Sequence, residues 1–165
     1  MTRTGIEGTM RQADGVGVVR VESWYATEAE DLWEALTRPE RLARWLGVVD
    51  GDLRLGGAFS ATFVSGWSGP GLVEVCEPPR RLLVRTGADA EETLVEAILT
   101  SEDGGTRLVV EERGLPPAQL AAYGAGWQVH LEDLGHHLHG TTRTDWQPRW
   151  LELVPDDRDR EVATT

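Results

Sequence analysis

A single cysteine, Cys76, leaves no partner for an internal disulfide and too few thiolates for a four-cysteine zinc site. No apolar run approaches the ~20 residues that cross a bilayer, and the N-terminus lacks the basic-then-apolar build of a signal peptide. A cytoplasmic chain without membrane insertion is therefore expected. Positive charge is short as well: 28 acidic residues against 16 basic ones give a net charge of −12, which repels phosphate backbones and anionic lipid, so nucleic acid is not expected as a partner. No G-x-S-x-G, Walker loop, dinucleotide fingerprint or H-E-x-x-H helix occurs, and hydrolase, nucleotide-binding and zinc-protease chemistry are left without a motif. Phe and Tyr are scarce, two of each, against seven Trp.

At 165 residues the chain is sized for one domain with a core of its own. Residues 1–16 are rich in glycine and polar groups and read as a loose tail, because they cannot bury enough apolar surface to offset the entropy of ordering. The stretch Gly17–Tyr25 alternates Val19, Val21 and Ser23 against Val18, Arg20 and Glu22, which suits a strand with one wet face. Thr27 with Glu30, and Thr37 with Glu40, have capping-box spacing. Apolar residues follow each pair at helical spacing: Ala29, Leu32, Trp33 and Leu36, then Leu42, Trp45 and Leu46, with Pro39 suited to a first turn. Two short helices with a sharp joint are expected there.

From Asp52 to Arg113 the period becomes two. Phe59, Ala61 and Phe63, then Val73 and Val75, Leu82 and Val84, Val95, Ala97 and Leu99, and Leu108 and Val110 mark successive strands. Gly56-Gly57, the Gly66–Gly71 segment, Pro78-Pro79, the Gly87–Glu92 segment and Asp103-Gly104-Gly105 separate them as hairpin turns, which makes an antiparallel meander. A last helix starts near Leu115-Pro116-Pro117, with Leu120, Trp127, Leu131, Leu134 and Leu138 on one stripe and a close approach of the sheet expected at Gly135. Residues 141–165 form an extension in which Trp146 and Trp150 dock and the mixed-charge end frays.

This order defines an α+β helix-grip domain over residues 17–140: a curved antiparallel sheet of about six or seven strands wrapped around a long C-terminal helix, with two short helices after the first strand. The face turned toward the helix carries small residues, including Ala61, Ala97 and several valines, and such a wall leaves volume for a guest.

The stretches LWEALTRPERLARWL at 32–46, LGGAF at 55–59, GLVEVCEPPRRLLV at 71–84, GGTRLVVEERGL at 104–115 and GWQVHLEDLGHHL at 126–138 resemble the START-like superfamily (SRPBCC, the birch-pollen-allergen fold). Within it the chain is similar to bacterial single-domain, AHSA-type homologues of the heat-shock-protein ATPase activator. The resemblance covers about Val18 to Gly140 and implies a cavity for a lipid-like or aromatic molecule. In the eukaryotic relatives a preceding domain makes much of the chaperone contact; a chain starting at Met1 has no counterpart, so chaperone contact is not expected. Glu112 departs from the family pattern, where many relatives carry a neutral residue or histidine.

The expected cavity residues are Phe59, Phe63, Val73, Val84, Val95, Ala97, Val110, Glu112, Tyr123, Trp127 and His130. Glu112 shares the inward parity of Leu108 and Val110, and His130 flanks the buried stripe of the last helix; a carboxylate and an imidazole across a pocket can orient a ligand or act as an acid–base pair. Both types also sit hydrated and inert at a rim. His130, His136, His137 and His139 lack a completing Cys or Asp at metal-ligand spacing, so neither metal nor cofactor is expected. Cys76 has no basic neighbour to lower its pKa and is not expected to be a nucleophile. Arg81 and Arg85 belong to the outer, solvated face, and Trp67 stands at a pocket mouth or a subunit contact. The leading expectation is non-catalytic binding of a small hydrophobic molecule. A polyketide cyclase/aromatase-like enzyme and a co-chaperone or other interaction module are the alternatives, and a free sheet edge or the Trp67 loop offers a homodimer contact.

Overall fold

The computed structural model describes residues 5–154. Eight strands form one antiparallel sheet: β1 (Glu7–Ala13), β2 (Val16–Tyr25), β3 (Gly47–Gly51), β4 (Ala58–Phe63), β5 (Ser68–Glu77), β6 (Arg81–Thr86), β7 (Thr93–Glu102) and β8 (Gly105–Leu115). Their order across the sheet is β1-β2-β8-β7-β6-β5-β4-β3. Four helices accompany them: α1 (Ala29–Thr37), α2 (Pro39–Leu42), α3 (Leu120–Leu138) and α4 (Trp146–Leu153).

Two of the strands lie outside the expected meander, and both are edges. β1 occupies part of what reads as a loose tail. It pairs with β2 through a two-residue turn at Asp14 and Gly15, both at positive φ (54° and 79°), the geometry a twisted hairpin needs. Six of its seven residues are exposed, so no apolar alternation marks it in the sequence; backbone pairing and Met10, packed toward α3, hold it. β3, at the other edge, buries Val49 but leaves Val48 65% exposed.

The helix starts also differ from their sequence signatures. Thr27 donates its hydroxyl hydrogen to Asp31 (2.6 Å) instead of capping a helix, and α1 begins at Ala29 after an uncapped Glu28. Thr37 donates to the Trp33 carbonyl, and α2 starts with Pro39. Short hydroxyls have several backbone and carboxylate acceptors within reach, and the box is one choice among them. The Gly69-Pro70-Gly71 segment, expected as a turn, is strand: β5 starts at Ser68. The Phe59 ring lies on Gly71, where any Cβ would overlap it, so the glycine serves packing. At Gly135 the nearest sheet atom is a Tyr25 ring carbon at ordinary contact distance of an added Cβ (3.6 Å), so no close approach requires that glycine.

Register sets the concave wall in rows. Val19, Glu112, Val95, Val84 and Val73 pair in succession across β2, β8, β7, β6 and β5, and Val21, Val110, Ala97 and Leu82 form the next row. The core collects at one end of this wall. There Leu99, Leu108 and Val110 meet Leu131 and Leu134 of α3, and Leu32, Trp33 and Trp45 from the α1–α2 side close the end like a plug. The opposite flank of α3 has its own apolar contact, in which Ala122, Ala125 and Val129 pack on Trp150 and Val154, and Trp150 donates to the Ala122 carbonyl (3.0 Å). The docked Trp150 explains why α3 is buried on two sides rather than on a single stripe.

The convex face is an ion-pair lattice. Glu96 receives Arg81 (2.6 Å) and Arg113 (3.0 Å), Arg85 pairs with Glu74 (2.7 Å), and Arg107 bridges Glu102 (2.9 Å) and Glu22 (3.4 Å).

Candidate ligand cleft between the sheet and the C-terminal helix

Where the plug ends, the wall and α3 separate. A cleft of about 1360 Å³ runs along α3 from Thr86, Glu91 and Pro116 at one end to the 140–147 segment at the other, past Phe63, Trp67, Thr93, Val95, Glu112, Tyr123, Trp127 and His130. Six expected residues therefore line it: Phe63, Val95, Glu112, Tyr123, Trp127 and His130. Five are elsewhere. Val73, Ala97 and Val110 are buried in packed sheet, Val84 sits between Val73 and Val95 in its row, and Phe59 covers Gly71. They have the right parity, but position along the strand decides whether a residue meets the plug or the opening.

Glu112 is the one acidic member of a row of valines and is 7% exposed. Trp127 Nε1 donates to its Oε1 (2.8 Å) and Thr93 Oγ1 to its Oε2 (2.7 Å), while Thr86 and Thr93 share a hydroxyl contact at 3.0 Å. Burial raises its pKa more than these two donors lower it, and no cation among the described residues faces it. A protonated carboxyl fits the same partners with both hydroxyl bonds reversed: its O–H gives to Thr93, Thr93 gives to Thr86, and Trp127 keeps the other oxygen. The carboxylate also raises the pKa of Tyr123, behind the larger effect of that phenol's own burial.

His130 is 4% exposed and neutral, with burial pushing its pKa down to about 3. It does not meet Glu112. Aromatic rings surround it instead: Trp127 at 5.5 Å and Phe63 at 5.9 Å, both edge-on, and Trp146 at 5.8 Å. Its Nδ1 is buried without a partner, as is Trp146 Nε1. Neither sequence alternative is therefore met: Glu112 and His130 are buried and not hydrated at a rim, and they form no carboxylate–imidazole pair, because Trp127, one turn before His130, holds the carboxylate.

The remaining histidines are engaged locally. Arg41 donates to His137 Nε2 (3.0 Å) and to Asp31 Oδ1 (2.8 Å), His136 contacts Thr141 (3.0 Å), and His139 contacts the Gly135 carbonyl (2.8 Å). Among the described residues no group of three or more His, Cys, Asp or Glu is placed to hold a metal ion. Cys76 is half-buried, with burial raising its pKa. Trp67 lies in the cleft wall against Phe63, ring centroids 4.9 Å apart.

Several wall residues carried no cavity signal in the sequence. Thr86 and Thr93 are small polar residues at strand ends, and Arg44 reads as the wet face of a helix. The 140–147 segment is recognisable only through its tryptophan.

An open antiparallel sheet gripping a long helix, with a cleft between the two, is the START-like helix-grip fold. The chain belongs to the family of Activator of Hsp90 ATPase homolog 1-like proteins, whose model matches residues 26–139. Among solved structures it is similar to CalU16 from Micromonospora echinospora, with 26% identity, a TM-score of 0.76 and 98% of each chain covered. It is also similar to DynU16, a protein of the dynemicin biosynthetic locus, with 30% identity and a TM-score of 0.72 over 82% of this chain and 52% of that one. A third relative is MLL2253 from Mesorhizobium loti, with 28% identity, a TM-score of 0.68, and 75% of this chain and 98% of that one covered. No curated protein matches the chain. No helix among the described residues is long and apolar enough to cross a membrane.

Proposed function

We propose that the chain binds a small hydrophobic or aromatic molecule in the cleft between the sheet and α3, without covalent chemistry. The observation that carries this reading is the cleft itself: Phe63, Trp67, Trp127 and Val95 supply apolar contact along one stretch of its wall, and polar groups such as Thr93, Glu112 and Arg143 line the rest. A guest burying about 300 Å² of apolar surface there gains about 7 kcal/mol, part of which is offset by ordering, so micromolar affinity is the expected scale. The place of DynU16 in a biosynthetic locus supports a natural-product-like guest over a bulk lipid.

The way the polar groups are used supports a non-catalytic reading. Both oxygens of Glu112 are held by Trp127 and Thr93, and His130 is kept neutral among rings, so neither is set for proton transfer to a guest. Native mass spectrometry of the protein as purified is expected to show an added small-molecule mass that disappears on mild denaturation. An apo mass, together with no tryptophan quenching by aromatic probes, would overturn the reading. A cyclase activity would show as a poly-β-ketone consumed without a retained complex, and loss of that consumption in Glu112→Gln.

A further inference from the structure

All sixteen basic residues of the chain are arginines, and its 28 carboxylates offer each of them more than one potential partner. In the described part nearly every arginine has taken one. The side chains without an ion pair or hydrogen bond among the described residues are Arg44, Arg80 and Arg143. Two of these three, Arg44 and Arg143, line the cleft, both toward its 137–147 end. On so acidic a protein, a guanidinium left open beside a cleft with an aromatic wall is a ready site for an outside anion.

We propose that the guest carries one anionic group on an apolar or aromatic body, and that Arg44 and Arg143 receive that group. The proposal rests on the cleft being the binding site and adds the ligand's charge and direction. Arg41 donates to His137 Nε2, which leaves that ring neutral with its hydrogen on Nδ1, a further donor at this end. Burial lowers the proton affinity of His137, and the charges of Arg41 and Arg44 lower it further against a smaller opposing effect of Asp31. Of the carboxylates nearby, Asp31 is held by Arg41; Asp133 takes both Thr144 donors on its Oδ1, leaves its buried Oδ2 without a partner and feels Arg143 only at longer range; and Asp145, exposed, lines this end as the one carboxylate beside two arginines. The opposite end holds Glu91, whose carboxylate would repel an anion. The guest therefore lies with its charge toward Arg44 and Arg143 and its apolar part against Phe63, Trp67 and Trp127.

The test uses two probes of nearly one shape, 1-anilinonaphthalene-8-sulfonate and the neutral N-phenyl-1-naphthylamine, titrated by fluorescence into the full chain. Both are expected to bind. In the Arg44→Gln/Arg143→Gln variant the Kd of the sulfonate is expected to rise about tenfold and that of the neutral probe to change less than about twofold, with added salt narrowing the difference. Arg80→Gln, which removes the unpaired arginine away from the cleft, is expected to change neither. The substituted side chains at 44 and 143 are exposed, so the fold is retained. Equal weakening of both probes, an unchanged sulfonate Kd in the double variant, or an equal loss in Arg80→Gln would overturn the anionic assignment while leaving the cleft as a binding site. Failure of both probes to bind the wild-type chain would overturn the cleft reading and this assignment with it.

Discussion

The two ends of the groove between sheet and α3 are built on the same strands and in the same parity, yet one is solid and the other open. At the closed end Leu99, Leu108, Leu131 and Leu134 interdigitate beneath α1 and α2. At the open end the same strands present Thr86, Thr93, Val95 and Glu112, and α3 presents Trp127 and His130, with no plug above them. The lesson is that a helix-grip sheet does not by itself enclose a cavity. What makes one is where the short helices stop and which few inward positions are given to small or polar side chains.

Three tests sharpen this contrast, and a fourth sets the convex face beside it. Leu134→Ala, at the closed end, is expected to cost about 3 kcal/mol in urea unfolding, because a fully buried site surrounded on all sides leaves a cavity; Val95→Ala, beside an opening, should cost about 1 kcal/mol. Equal costs would erase the distinction between the ends.

The second change is one of pH. His130 has a folded pKa of about 3 against 6.5 for the free side chain, so its contribution is complete above pH 6.5 and is lost as the pH falls toward 3, at up to about 1.4 kcal/mol per unit. His130→Phe keeps a ring in the aromatic nest and should remove that slope. A wild-type stability flat between pH 6.5 and 5 would place the imidazole in water.

Glu112 works in the opposite sense. Its folded pKa lies above the unfolded value of 4.5, so its contribution is present below that pH and is lost as the pH rises through the folded value. Glu112→Gln can accept from Trp127 and donate to Thr93, and is expected to gain on the order of 1 kcal/mol at pH 8 and nothing at pH 4. Destabilisation at pH 8 would show instead that the ionised carboxylate is what those donors require. The smallest effect belongs to the convex face. Glu96→Gln breaks the contacts to Arg81 and Arg113, but these arginines are partly exposed, so about 0.5 kcal/mol is expected, shrinking further in high salt.

The fold was legible because periodicity reports burial. Val19 and Val21, the run from Phe59 to Val110, and Leu131 and Leu134 each alternate or repeat as their element demands, and the structure places them in strands and helix accordingly. β1 escaped that signal because nearly all of it is exposed and backbone pairing holds it, and β3 because its inward and outward positions, Val49 and Val48, are the same residue type. The site was half legible for a related reason. Parity identified Glu112 as inward, but its partner was set by α3's rotation, which brings Trp127 and not His130 onto the carboxylate. Arg44, Thr93 and Trp146 come from three segments distant in sequence, and only the folded chain brings them to one cleft.

The most direct test of the account is the indole region of a ¹H–¹⁵N correlation spectrum, in which each of the seven tryptophans reports its own surroundings, recorded as N-phenyl-1-naphthylamine is added. The signals of Trp67 and Trp127, in the cleft wall, are expected to shift, while Trp45, bonded to the Ala35 carbonyl within the plug, stays fixed. A spectrum in which Trp127 does not move while the probe binds would contradict the claim that this cleft is where the protein holds its guest.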